Sequence, residues 1–267
     1  MRKIALAQPE GVRFIPDRPS GTGLLTIAGS SGRIDADRAR LFAEHGTLAE
    51  SLRWLGGTQQ PAGPWPVPLE VFLDRVVALA CECDRVVVCG TSFGAEAALL
   101  AGCYSPSVSA VIAFAPSDVV WPGITRDGRM VSHWSLGGEA LPFVPLCRGW
   151  EPVEDPPSFV DLYRRSFAKH ADAGRAAIPV EAIPRVLLIA GGDDRVWPSL
   201  EHAQRISERR KLHGLATTVV ADPRAGHRAV LPGEPVVTAG TRMARGGNEE
   251  ADRRLGAAAW PHVAALL

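Results

Sequence analysis

Arg85-Val86-Val87-Val88-Cys89-Gly90-Thr91-Ser92-Phe93-Gly94-Ala95-Glu96-Ala97-Ala98-Leu99-Leu100 is the stretch that decides how this chain folds. Val86 to Cys89 is an unbroken apolar run, the mark of a strand buried on both faces of a parallel sheet. From Phe93 to Cys103 the chain is rich in Ala and predicts a helix. Between them, Gly90-Thr91-Ser92-Phe93-Gly94 is a G-x-S-x-G pattern. Among 27 glycines the pattern alone is a weak signal, but a strand before it and a helix after it make it a strong one. Such a turn lifts the Ser92 hydroxyl above the C-terminal edge of the sheet. Glycines at both ends let neighbouring backbone come close, and the helix N-terminus adds positive potential where an oxyanion would form. Stripped of chemistry, the same residues are a tight strand-to-helix turn.

Outward from this stretch, short apolar runs alternate with amphipathic ones. Strands are expected over 24–28, 108–114, 185–190 and 216–221, with a further one over 47–52. Helices are expected over 35–45, from Pro68 to about residue 80, and over 199–213 and 248–267. In the second of these, Leu69, Phe72, Leu73, Val76, Val77 and Ala80 follow the i, i+3, i+4, i+7 series of one buried face. Alternating strands and helices predict an α/β fold: a mostly parallel sheet with helices on both faces, one domain over 1–267. One region breaks the rhythm. Residues 115–184 are rich in Pro and Gly, hold Trp121, Trp134 and Trp150, and offer a helix only over 158–173. An irregular aromatic insert of this length is expected to form a lid or pocket wall, the alternative being a second packing layer.

Charge and cysteine content narrow the function classes. Lys+Arg and Asp+Glu both number 29, which argues against a nucleic-acid binder. No apolar run reaches the ~18 residues of a membrane span, and the start of the chain is too short in apolar residues for a signal peptide. Five cysteines without a C-x-x-C pair suggest neither a disulfide framework nor a zinc site. They predict reduced thiols in a cytoplasmic protein, mostly core filler. No metal or organic cofactor is expected.

A serine nucleophile needs a base, and the base needs an acid to fix its tautomer. His45, His202 and His213 fall in or beside predicted helices, His133 and His170 in or near the insert, and His262 in the last helix. His227 differs: it follows the last predicted strand by a short loop and can reach back over the sheet edge. Asp193 and Asp194 both leave the C-terminal end of the strand over 185–190, where functional groups gather in open α/β sheets. Asp194 is favoured because Gly191-Gly192-Asp193-Asp194-Arg195-Val196-Trp197-Pro198 has the G-x-x-D-x-x-x-P form, with Asp222 a distant third. The oxyanion donors are expected to be the Phe93 N–H and that of Ser30 or Ser31, in the loop after the strand over 24–28.

Several separated motifs resemble the acyl-CoA thioesterase / bile-acid-CoA:amino-acid N-acyltransferase C-terminal domain family, a branch near the dienelactone hydrolases. They are Gly90 to Glu96, Val119-Val120-Trp121-Pro122-Gly123, Gly137 to Pro145, Gly191 to Ser199, and Gly226-His227. The resemblance implies an α/β-hydrolase fold with Ser92, Asp194 and His227 as the triad, here with serine and not the cysteine of the amino-acid-conjugating members. It implies cleavage of an acyl thioester, such as an acyl-CoA, through an acyl-enzyme. The resemblance spans roughly 11–267, and the N-terminal β-sandwich domain carried by the family's animal members is expected to be missing, since only about ten residues precede that span. Ester or lactone hydrolysis of the dienelactone-hydrolase type, acyl transfer to an amine, and non-catalytic binding of a small apolar ligand are the alternatives. The substrate contacts expected are Trp54, Trp121, Trp134 and Trp197 for the acyl group, and Arg33, Arg224 and Arg228 for anionic groups. The competing readings are core tryptophans and solvated arginines.

Overall fold

A computed structural model describes residues 1–63, 65–238 and 240–267, with the backbone alone at 171–173. In chain order the main-sheet strands and their helices begin β1 (Arg2–Ala7), β2 (Glu10–Ile15), β3 (Thr22–Ile27), α1 (Ala36–Glu44) and β4 (Leu48–Leu52). A short β5 (Val67–Pro68) precedes α2 (Glu70–Ala80), β6 (Arg85–Thr91), α3 (Phe93–Tyr104) and β7 (Val108–Phe114). The insert then contributes β8 (Pro122–Ile124), β9 (Met130–Ser132), β10 (Trp134–Leu136), β11 (Glu139–Ala140) and α4 (Val160–Lys169). The chain closes with β12 (Val186–Gly191), α5 (Ser199–Leu212), β13 (Thr218–Asp222) and α6 (Glu249–Ala264).

Eight strands form one sheet in the order β1-β2-β4-β3-β6-β7-β12-β13. From β4 to β13 all neighbours are parallel, and β1 and β2 are attached antiparallel at one edge. The inner parallel strands, β4, β3, β6, β7 and β12, are buried on both faces, with successive side chains pointing to opposite layers, while β13 at the edge is largely exposed. Val86 and Val88 enter one core with Phe72, Val76, Leu79, Leu99, Ala203 and Ile206 of α2, α3 and α5. Val87 and Cys89 enter the other, with Phe42 of α1 and Leu255 and Val263 of α6. The chain leaves β3 for β4 on one side and returns to β6 on the other. Loops that diverge in this way open a crevice at the C-terminal ends of β3 and β6, where α/β sheets place their ligands.

Several expectations need correction. The first strands are β1 and β2, well ahead of residue 24. Their edge position explains the weak signal, because β1 is exposed along almost all of its length. Pro68 ends a strand rather than opening a helix; β5 pairs with β10. In α2, Val77 is 56% exposed and Leu79 takes the buried place. The insert is less irregular than expected: β11-β10-β5 form a small sheet and β8 and β9 a hairpin. Of the cysteines, only Cys89 is buried, and all five are free thiols. No helix among the described residues is long and apolar enough to cross a membrane.

Candidate active site

The turn between β6 and α3 requires its glycines. A Cβ on Gly90 would sit 1.9 Å from the Gly94 carbonyl oxygen, and one on Gly94 would sit 2.3 Å from the Ile27 carbonyl oxygen. Strand, helix and the end of β3 are therefore packed backbone against backbone. Ser92 pays for this closeness with φ 60° and ψ −125°, a region that costs a non-glycine residue about 1–3 kcal/mol. Its N–H donates to the Phe114 carbonyl at 2.9 Å, which fixes the turn against β7. The Phe93 N–H opens α3 and is left over by the helical ladder.

The β3–α1 loop covers Ser92 from one side. A Cβ on Gly29 would lie 3.8 Å from Ser92 Oγ, so the loop backbone borders the hydroxyl. The N–H groups of Ser30 and Ser31 donate to no partner among the described residues. A glycine at position 29 is what this close backbone approach demands, since a Cβ there would lie 3.2 Å from the Thr91 carbonyl oxygen.

Asp194 and His227 meet beyond the C-terminal ends of β12 and β13. His227 Nδ1 and Asp194 Oδ2 are hydrogen-bonded at 2.8 Å, with the two side chains 7% and 1% exposed. Asp194 Oδ1 accepts the N–H groups of Val196 at 2.9 Å and Trp197 at 3.3 Å, which hold the carboxylate in one orientation. Asp193 is engaged elsewhere: it accepts from Arg195 Nε at 3.0 Å and from the Gly247 N–H at 2.8 Å. Asp222 is paired with Arg254. The Trp197 ring packs on both His227 and Phe93, at centroid distances of 5.8 and 5.2 Å, which joins His227 to the elbow. His227 Nε2 and Ser92 Oγ carry no hydrogen bond among the described residues.

The tryptophans expected as substrate contacts are core residues. Trp54, Trp121, Trp134 and Trp197 have no exposed surface. Each indole N–H has an internal acceptor: the Ala28 carbonyl, Ser117 Oγ, Glu96 Oε2 and the Ala115 carbonyl respectively. A buried indole is expected to satisfy its N–H in this way. Of the arginines, Arg33 pairs with Asp35, and Arg224 is exposed. Half-buried Arg228 donates to the Val237 carbonyl. Burial, together with the charges of Arg245 and Arg33, lowers the Arg228 pKa to about 10.

Two buried groups near the elbow were not anticipated. Glu96 accepts from Trp134 Nε1 at 3.0 Å, while its Oε1 is without a partner. Burial raises its pKa well above the ordinary carboxylate range. His133 stacks on Phe93 at 3.9 Å with both ring nitrogens unpartnered. Burial lowers its pKa to about 3, so the ring is neutral. Among the described residues no group of three or more His, Cys, Asp or Glu is placed to hold a metal ion.

Comparison with known proteins places this arrangement. The chain is 25% identical over 243 residues to acyl-coenzyme A amino acid N-acyltransferase 2 of Mus musculus and 26% identical over 241 residues to acyl-coenzyme A amino acid N-acyltransferase 1 of the same organism. Each alignment covers 88% of this chain and 55% of the relative, so the chain spans about half the length of the curated relatives it matches. A structure from Klebsiella pneumoniae assigned to the dienelactone hydrolases superposes with a TM-score of 0.53 at 15% identity, covering 99% of this chain and 96% of that one. A second, m3DLH, gives 0.51 at 17% identity, covering 99% and 95%. The fold is that of the α/β-hydrolases. The profile of the BAAT / acyl-CoA thioester hydrolase C-terminal family matches residues 78–266, from the end of α2 through α6; the chain belongs to that family of hydrolases and acyltransferases.

Proposed function

We propose that this protein is a serine hydrolase of acyl thioesters, with Ser92, His227 and Asp194 as its triad. The observation that carries the reading is the Asp194–His227 hydrogen bond beside a serine held at positive φ on a strand-to-helix turn. Asp194 keeps the His227 proton on Nδ1 and leaves Nε2 basic. Ser92 Oγ attacks the thioester carbonyl as Nε2 takes its proton. The N–H of Phe93 and one from Ser30 or Ser31 stabilise the oxyanion. The C–S bond breaks, and the thiolate takes the proton from the imidazolium. An alkyl thiol has a pKa of about 8.5, so departure is easy and hydrolysis of the acyl-enzyme is the harder step. Water then attacks as His227 accepts its proton and returns it to Ser92.

Arg245 and Arg33 are near enough for their charges to act on Arg228, with Asp35, the partner of Arg33, opposing them. That concentration of positive charge beside His227 supports an anionic thioester such as an acyl-CoA over a neutral ester. A second reading has a specific ground: the matched relatives are acyl-CoA amino acid N-acyltransferases, so an amine could replace water in the second half-reaction.

Thiol release from a chain-length series of acyl-CoAs, run beside nitrophenyl esters, tests the reading. The expected result is faster turnover of a CoA thioester, abolished in Ser92→Ala. Turnover by Ser92→Ala would overturn the triad, and esters hydrolysed without thioesters would move the assignment to ester or lactone hydrolysis. Amide product with added glycine or taurine would establish acyl transfer.

A further inference from the structure

α1 carries an arginine on its buried face. Arg38 lies among Ala39, Leu41, Phe42 and Ala43, all buried, and is itself only 8% exposed. A buried charge requires a partner, and Arg38 has three. Its Nε and Nη2 grip both carboxylate oxygens of Glu234, the Nη2–Oε2 bond measuring 2.9 Å. Its Nη1 donates to Thr91 Oγ1 at 2.8 Å. Its guanidinium lies 4.3 Å from the centroid of the Phe114 ring.

Each partner borders the site. Thr91 immediately precedes Ser92. Phe114 supplies the carbonyl that receives the Ser92 N–H. Glu234 lies in the segment after His227 and also accepts the Leu231 N–H at 3.0 Å. One guanidinium thus connects three pieces of chain that are distant in sequence: α1, the elbow and the segment after His227. The planar fork suits this task because its donors leave in fixed directions, toward a carboxylate on one edge and a hydroxyl on another. A lysine gathers its three donors at a single nitrogen and cannot reproduce this planar bidentate fork.

We propose that Arg38 is a positioning residue, setting the spacing between the Ser92 elbow and the loop that carries His227. It touches no substrate and acts through Thr91 and Glu234. The inference rests on the Ser92–His227 reading above. The apolar residues of α1 already pack on the sheet, and a buried ion pair is a weak source of stability compared with apolar residues of similar volume. A role in geometry accounts for keeping both the charge and the fork.

The test uses a fluorophosphonate, which reports the reactivity of Ser92 whatever the natural acyl group. Labelling rates, kcat and KM on a nitrophenyl ester, and melting temperature are measured for the unaltered protein, Arg38→Lys, Arg38→Met, Glu234→Gln and Thr91→Val, well below the lowest melting temperature. The expected result for Arg38→Met is a loss on the order of 100-fold in labelling rate and kcat, since displacements of about 1 Å cost that much, with KM within about threefold. Thr91→Val removes one hydrogen bond without touching the ion pair. It is expected to lose on the order of tenfold, and Thr91→Val combined with Arg38→Lys less than the product of the two. Should Arg38→Met fail to fold, Thr91→Val decides. Labelling of the variants at the unaltered rate, or losses that multiply, overturns the inference. Absence of labelling in the unaltered protein overturns the triad itself.

Discussion

Asp194→Asn exchanges one carboxylate oxygen for an amide nitrogen at a side chain that is 1% exposed. The carboxylate has two duties here, accepting the Val196 and Trp197 N–H groups through Oδ1 and facing His227 Nδ1 through Oδ2. The asparagine oxygen can serve only one of them. If it stays with the two backbone donors, the amide NH2 points at Nδ1 and forces it to accept. The imidazole proton then moves to Nε2, the atom that must take the Ser92 proton. If the amide flips, two buried N–H groups face an NH2, at about 1–3 kcal/mol each, or roughly 2–6 kcal/mol together. The flip therefore gives no escape, and the wrong tautomer prevails. The expected loss in kcat is about 10³–10⁴-fold, the effect of a misassigned tautomer in a Ser-His-Asp site, equivalent to about 4–5 kcal/mol of barrier. Thiol release at saturating acyl-CoA measures it, with circular dichroism to establish folding and Asp193→Asn alongside. A folded Asp194→Asn enzyme within tenfold of the original kcat would refute the reasoning. So would a loss that follows Asp193, whose oxygens are held by Arg195 and Gly247.

Three further outcomes follow from buried and strained groups. Ser92→Gly should melt above Ser92→Ala by the equivalent of about 1–2 kcal/mol, because only glycine accepts φ 60° and ψ −125° without strain; equal melting temperatures would show that the turn stores none. His133→Phe should raise stability by about 1–3 kcal/mol, since it removes two unpartnered ring nitrogens and keeps a ring stacked on Phe93; a lower denaturation midpoint would contradict this. Asp118 is buried, which opposes its charge, yet hydrogen bonds and charge from His202 and Arg205 bring its pKa down to about 2. A depressed folded-state pKa gives stability that is present above the unfolded value near 4 and lost as pH falls toward 2. Denaturant titrations should therefore show the unaltered protein exceeding Asp118→Asn by about 2 kcal/mol more at pH 6 than at pH 2. A gap that does not change with pH would remove the ion pair from the account.

What the sequence reveals of this site depends on how far apart its partners lie. The elbow is legible because strand, turn and helix occupy consecutive residues, and each glycine is demanded by backbone only a few residues away or on the next strand. The hydrogen-bonded pair Asp194 and His227, the proposed acid and base, is legible because chain order and strand ends restrict such candidates to a few positions. The edge hairpin is harder: Val12 and Phe14 alternate with exposed or half-buried neighbours, but the run is short and β1 has little buried face to display. The tryptophans are illegible for another reason. A pocket wall and a core indole have the same sequence neighbourhood, and the acceptors that settle the matter lie 26 residues from Trp54 and 82 from Trp197. Arg38 falls between these cases. Its spacing of three and four residues from Leu41 and Phe42 puts it on the inward face of the helix, and a buried guanidinium needs acceptors. Which of 29 acidic residues answers it is not encoded locally, since Glu234 is 196 residues away. The same separation makes the pair suited to positioning, because only a contact between distant segments can set the distance between an elbow and a histidine loop that the chain delivers independently.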